Sequence, residues 1–175
     1  FRPITNVHMD MLESGKRLFK EKYPDESPMT LMEMNMEQLY DHGDLQARDF
    51  LDRVDLLSAI GMPVLITSHN DYYGIRSYLK GFTSKQISFI LGVNLLVDLL
   101  KEEHYEEHPG GLLGAIGELF YGDVSLFVYP SHKGFFENPN AAAPPKKDEI
   151  MTIKDIQVSE KYRLLKDLLI ENKWI

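Results

Sequence analysis

Apolar side chains recur at helical intervals through the first third of the chain, then fall into short runs that alternate with amphipathic segments. In HMDMLESGKRLFKEKYPDESP the residues Met11, Leu12, Leu18 and Phe19 share one helical face, and Tyr23-Pro24 marks a stop. The pattern predicts a second helix through TLMEMNMEQLY, started by Ser27-Pro28 and Thr30 and carrying Leu31, Met34, Gln38 and Leu39. Methionines 29, 32, 34 and 36 make that stripe adaptable; it reads as core, the other use of such a stripe being a partner-binding face. Asp44 is placed to cap a third helix through DLQARDFLDRVDLLSAIG, with Phe50, Val54 and Leu57 on one face and Gly61 as a left-handed stop.

From Pro63 the rhythm changes. Val64–Thr67, Ile87–Val93 and Val124–Tyr129 are short apolar runs, separated by NDYYGIRSYLKGF, then by NLLVDLLKEEHYEEH and GGLLGAIGELF, all with helical spacing. Alternation of this kind predicts parallel strands joined by helices. The expected fold is therefore α/β: a small Rossmann-like parallel sheet covered by helices, with Val64–Thr67, Ile87–Leu91 and Val124–Val128 as adjacent strands. The whole of 1–175 reads as one domain, with a helical part over 1–61, strand-helix units over 63–133, and a linker with a terminal helix over 134–175. Within the last part, ENPNAAAPPKKDE has linker composition and EKYRLLKDLLIENKWI is amphipathic. Beginning with Phe1 rather than Met, the chain suggests either trimming or a fragment cut from a longer protein.

Charge narrows the partners. With 19 basic against 27 acidic side chains the formal charge is -8, which repels phosphate backbones and argues against nucleic-acid binding. Small anions would need a local positive exception. The absence of cysteine removes disulfides, thiolate nucleophiles and Cys-ligated zinc, and fits a reducing cytoplasmic setting. No run of 18 or more apolar residues occurs, so no membrane partner is expected, while an oligomer or a partner protein stays open.

Candidate chemistry gathers at the ends of the predicted strands, where open parallel sheets bind ligands and following helices present their amide groups. The first run ends in Thr67-Ser68-His69-Asn70-Asp71, the second in Gly92-Val93-Asn94, and the third in Tyr129-Pro130-Ser131-His132-Lys133. Two Ser-His pairs at equivalent strand ends are expected to line one rim. His69 and His132 are the candidate proton-transfer groups, since imidazole is the side chain that titrates near neutrality. Ser68, Asn70, Asn94 and Ser131 are candidate ligand contacts, and Arg76 and Lys133 would supply the positive charge that the chain as a whole lacks. Asn94 is also placed to cap the following helix, and Ser, Asn and Asp after a strand are equally ordinary helix starters.

Gly110 and Gly111, in HPGGLLGAIGELF, offer two further backbone amides for a ligand. They do not form a dinucleotide fingerprint, because they follow an acidic segment rather than a strand and no GKS or GKT is present. Glycines 111, 114 and 117 recur every three residues, which favours close packing of a helical face. His104 and His108 are four apart, yet Pro109 ends the segment and the order is not HExxH, so no metal site is assigned. Nothing in the sequence assigns a cofactor, and the absence of GxSxG leaves no catalytic triad to build.

The runs TLMEMNMEQLYDHGDLQARDFLDRVDLLSAIGMPVLITSHNDYYGIRSYLKGFTSKQISFILGV and HYEEHPGGLLGAIGELFYGDVSLFVYP resemble the carboxyl-terminal portion of a poorly characterised group of longer bacterial proteins, some of which are called nicotinate-nucleotide adenylyltransferases. ITSHNDYYGIR is similar in outline to the ISSTxIR motif of the true adenylyltransferases, but their GxFDPxHxGH motif is missing, so none of their catalytic residues carries over. Haloacid dehalogenases offer a partial match at Thr67 or Ser68 and at Lys80 or Lys85, without their DxDx nucleophile. The functional expectation is a cytoplasmic α/β domain that binds a phosphorylated or nucleotide-like small molecule at its strand ends, with a transfer reaction among its candidate activities. The alternative is a noncatalytic interaction or regulatory domain.

Overall fold

The computed structural model describes residues 4–41, 44–45, 47–134 and 149–175. The segment ENPNAAAPPKKDE, expected as a linker, lies outside these apart from its last residue. The chain is a mixed α/β protein made of two compact units, residues 1–83 and 84–175.

The first unit opens with helix α1, Asn6–Lys22. At its start the Thr5 backbone N–H donates to His8 Nδ1 at 3.0 Å, which satisfies a donor that the helix leaves without a partner. Its last turn carries Lys20 and Lys22, cations that suit the negative end of the helix dipole. The predicted second helix does not form. Met32–Asn35 is instead a strand, β1, followed by a single 3-10 turn over Met36–Leu39. The reason lies in burial: Met32 and Met34 are both below 5% exposed while Glu33 and Asn35 are only half-buried, an alternation of period two that suits a strand with an available parallel partner. Of the four methionines expected in the core, Met32 and Met34 are there, whereas Met29 and Met36 are exposed, because the stripe was helical and the segment is a strand.

Two short strands follow, β2 (Tyr40–Asp41) and β3 (Asp44–Leu45), paired antiparallel. Asp44 therefore lies in a strand, and the third predicted helix begins later, as α2 over Ala47–Ala59. Phe50 and Leu57 bury its apolar face, and Gly61, at φ 75°, ends it in the left-handed region where a side chain would be strained. Strand β4, Val64–Thr67, then pairs parallel with β1 in the register Met32 with Val64 through Asn35 with Thr67. Helix α3, Tyr72–Lys80, follows with Asp71 as its cap: the carboxylate accepts the Gly74 N–H at 2.6 Å.

In the second unit, β5 (Ile87–Gly92) and β6 (Val124–Tyr129) form a parallel ladder of six residue pairs. Between them lie α4 (Val93–Leu99) and α5 (Gly111–Leu119). Their apolar faces make a dense core with the strands: Leu91, Val93, Leu96, Leu112 and Leu126 are at most 1% exposed. The long helix expected from Asn94 to His108 stops early. At Leu99 the chain turns back so that buried Tyr105 donates its hydroxyl to the Leu99 carbonyl at 2.9 Å, supplying a partner that the helix end lacks. Beyond β6, Ser131–His132 is a two-residue strand, β7, antiparallel to β8 (Ile150–Met151). The final helix, α6, runs over Arg163–Glu171 and buries Leu169 completely. From there the chain passes alongside β6, where the Leu126 N–H donates to the Trp174 carbonyl at 2.7 Å and the Trp174 indole stacks on Phe120.

The parallel strands thus form two separate two-stranded ladders, β1 with β4 and β5 with β6. Ile87–Leu91 and Val124–Val128 are neighbours as expected. Val64–Thr67 is not the third member of their sheet: its neighbour is β1, which helical periodicity had concealed.

Candidate functional site

The carboxyl ends of β1 and β4 bring several polar side chains together. On one face of the pair, Thr67, itself 5% exposed, donates its hydroxyl to Glu33 Oε1 at 2.6 Å. Tyr72, in the first turn of α3, has its phenol pushed up to about 12, by burial first and then by the Glu33 carboxylate. Both causes favour the neutral phenol. At the strand tips, the Asn35 side-chain amide donates to the His69 carbonyl at 2.8 Å and to Asn70 Oδ1. One asparagine on β1 therefore fixes the backbone that follows β4, and Asn70 presents its amide nitrogen as a donor.

The His69 imidazole rests on α3 where Gly74 leaves room. A Cβ added at Gly74 would lie 3.0 Å from His69 Nδ1 and 2.7 Å from Asp71 Oδ1, so the ring and the capping carboxylate both depend on that glycine. Four residues on, Tyr78 meets the imidazole with ring centroids 5.9 Å apart. Ser68 and Asn70 are exposed on either side of the half-buried His69. Among the described residues the His69 ring makes no hydrogen bond; its Nδ1 edge lies against Gly74.

Arg76 lies on α3, the helix that follows β4. Helical periodicity puts it on the flank of Tyr72, four residues before it, and away from the flank of Gly74 and Tyr78 that seats His69. The same geometry leaves the Gly74 amide engaged by Asp71. The start of the α3 backbone brings partial positive charge to this edge.

The second-unit candidates meet different surroundings. Asn94 is exposed, but it is the second residue of α4 and does not cap it; Gly92, extended at ψ 156°, holds that position because the helix starts directly from the strand. Ser131 and His132 are taken into the β7–β8 pair, with His132 exposed and Ser131 half-buried, so the two Ser-His pairs close strands of different ladders in different units. Lys133 donates its backbone N–H to the Glu149 carbonyl at 2.9 Å and sets its ammonium 3.4 Å from the Glu149 carboxylate. Its charge is matched within the chain.

Gly110 and Gly111 serve the backbone. A Cβ at Gly110 would fall 2.7 Å from the α-carbon of Gly114, and Gly111 adopts φ 56°. The Gly110 N–H donates to His108 Nδ1 at 3.2 Å, while His108 Nε2 sits 3.4 Å from Glu118 Oε1 and the ring packs on Gly114. Of the period-three glycines, Gly114 therefore does the close packing; Gly117 has no atom within 4 Å of a would-be Cβ. Among the described residues no three His, Asp or Glu side chains converge to hold a metal ion, and no helix is long and apolar enough to cross a membrane.

Glu33, Asn35, Tyr72, Gly74 and Tyr78 join the first-unit cluster without having been singled out from the sequence. One signal was available for Gly74: a lone glycine inside a short helical segment weakens the helix and commonly has a packing or functional reason. Asn35 and Glu33 offered none, because their segment reads as helix. No family model matches the chain, and neither a curated protein nor a solved structure does.

Proposed function

We propose that the first unit binds a nucleotide-like small molecule at the carboxyl ends of β1 and β4. The observation that carries this reading is the seated imidazole: His69 rests on Gly74, its backbone carbonyl held by Asn35, and its chain neighbours Ser68 and Asn70 are both exposed. Such a trio hydrogen-bonds sugar hydroxyls or a phosphoryl oxygen and places an imidazole where it can give or take a proton. The amino end of α3 adds partial positive charge to the same edge. Arg76, on the other flank, contributes at longer range. A Rossmann-like use of the strand ends follows in kind, although each ladder has only two strands.

A thermal-shift screen of the whole chain against nucleotides and sugar phosphates tests this, because a ligand that binds only the folded state raises the melting temperature by mass action. Ser68→Ala and His69→Ala should abolish the shift while leaving the unliganded melting temperature within a degree or so, as expected for side chains outside the core. A panel that gives no shift at all overturns the reading.

One observation favours the alternative of a noncatalytic interaction domain. In the second unit a groove of about 370 Å³ is lined by apolar side chains of α5, α6 and Trp174, and Leu113 and Tyr121 on its rim are 59% and 74% exposed. Exposed apolar surface of this kind is where protein partners settle.

A further inference from the structure

The flank of α3 that seats His69 does not end there. Gly74, Tyr78 and Phe82 follow one another at intervals of four, so they fall in line along one side of the helix and its last turn. Tyr78 lies against His69 with centroids 5.9 Å apart and rings tilted by 48°; Phe82 lies against Tyr78 at 5.1 Å and 59°. The three rings make a continuous ladder that starts at the polar strand end and runs down the helix. It faces outward: Tyr78 is 44% and Phe82 76% exposed. Nor does it hang from a loose loop, because the Phe82 N–H donates to the Leu79 carbonyl at 2.9 Å and the Gly81 N–H to the Tyr78 carbonyl at 3.1 Å.

An aromatic pair spaced by four steadies a helix slightly, but that gain needs only contact between the two rings and does not account for the imidazole at the head of the row. Aromatic faces carried on a hydrogen-bonded backbone and open to water suit another flat ring, which stacks on them regardless of its hydrogen-bonding edge. The head of the ladder supplies what such a ring carries with it: Ser68, His69 and Asn70 suit a sugar, and the Asp71 carboxylate beside His69 gives the phosphoryl group no privileged place.

We propose that the ligand of the first unit is a nucleoside or nucleotide whose base lies against the Tyr78–Phe82 pair, stacked on one ring and meeting the other edge-on, while its sugar meets Ser68, His69 and Asn70, with the base rather than the phosphate giving most of the affinity. This deepens the ligand reading above and rests on it. Calorimetric titration of the full chain with the four common nucleosides, their monophosphates and ribose 5-phosphate separates the two. At least one nucleoside should bind within about threefold of its monophosphate, and ribose 5-phosphate should bind at least tenfold more weakly. Tyr78→Leu and Phe82→Leu, which keep apolar bulk but remove the rings, should each weaken the nucleoside about tenfold without lowering the melting temperature. If ribose 5-phosphate binds as well as the best nucleotide, or if the leucine variants bind normally, the ring subsite is wrong and the strand-end site stands. If nothing in the set binds, both fall.

Discussion

Each unit seats one histidine on a glycine of a helix, and the two seats are put to opposite uses. In the second unit His108 is 9% exposed, packs on Gly114, accepts the Gly110 N–H and faces Glu118, so both ring nitrogens are committed within the chain. In the first unit His69 packs on Gly74 in the same manner, yet the ring is half-buried and touches an aromatic rather than a hydrogen-bond partner. Committed polar atoms hold a fold together; an imidazole positioned without a committed partner is what a ligand site requires. The strand ends repeat the contrast. β5 runs straight into the apolar helix α4, whereas β1 and β4 run into Asn35, Ser68, His69 and Asn70.

The largest expected effect comes from removing the committed member. His108→Ala should lower unfolding stability by about 2–3 kcal/mol, the usual cost of emptying a buried, hydrogen-bonded position, while His69→Ala stays within about 0.5 kcal/mol. Urea midpoints of the two variants measure this, and equal losses would end the contrast. Next comes alkali. Because the Tyr72 phenol is raised in the folded state, its contribution to stability is intact below about pH 10 and is lost as the pH climbs towards 12. The slope should amount to at most about 3 kcal/mol and vanish in Tyr72→Phe, which urea melts at pH 9 and 11 would reveal.

Smaller effects sharpen the comparison further. Gly74→Ala gains helix propensity of about 0.5–1 kcal/mol but disturbs the Asp71 cap, worth a similar amount. Its stability should change little while ligand affinity falls about tenfold, since the His69 ring must move. Gly114→Ala, pressed against a ring with no room to yield, should instead destabilise without touching that affinity. The slightest effect concerns His8, whose imidazole is held below its ordinary range by burial first, and accepts the Thr5 N–H. Its contribution is present above about pH 6.5 and fades as the pH falls below that, so amides at the start of α1 should exchange faster at pH 5 than those of α2 do. His8→Ala should remove that pH dependence.

How much of this was legible depended on whether each feature was local. The helices α1, α3, α5 and α6 and the strands β4, β5 and β6 announce themselves through their own periodicity and stops. β1 did not, since four residues inside a methionine-rich run fit a helical stripe as well as an alternating one, and only the ladder with Val64–Thr67 decides between them. Strand neighbours are a long-range choice, which is why three visible strands suggested one sheet. Ser68, His69 and Asn70 were visible as a polar break after an oily run. Asn35 and Gly74, which hold them, were not, because their value lies in what they touch.

The Leu126–Trp174 hydrogen bond bears on how the β5–β6 ladder behaves before the segment around Trp174 has joined it. β6 gives one side to β5, and on the other side the Leu126 N–H finds its acceptor only when the segment containing Trp174 arrives. Until then the ladder offers an open edge, the kind of template on which a second molecule can add a strand. A chain lacking the segment around Trp174 would therefore be prone to self-association through this edge of β6, which that segment covers.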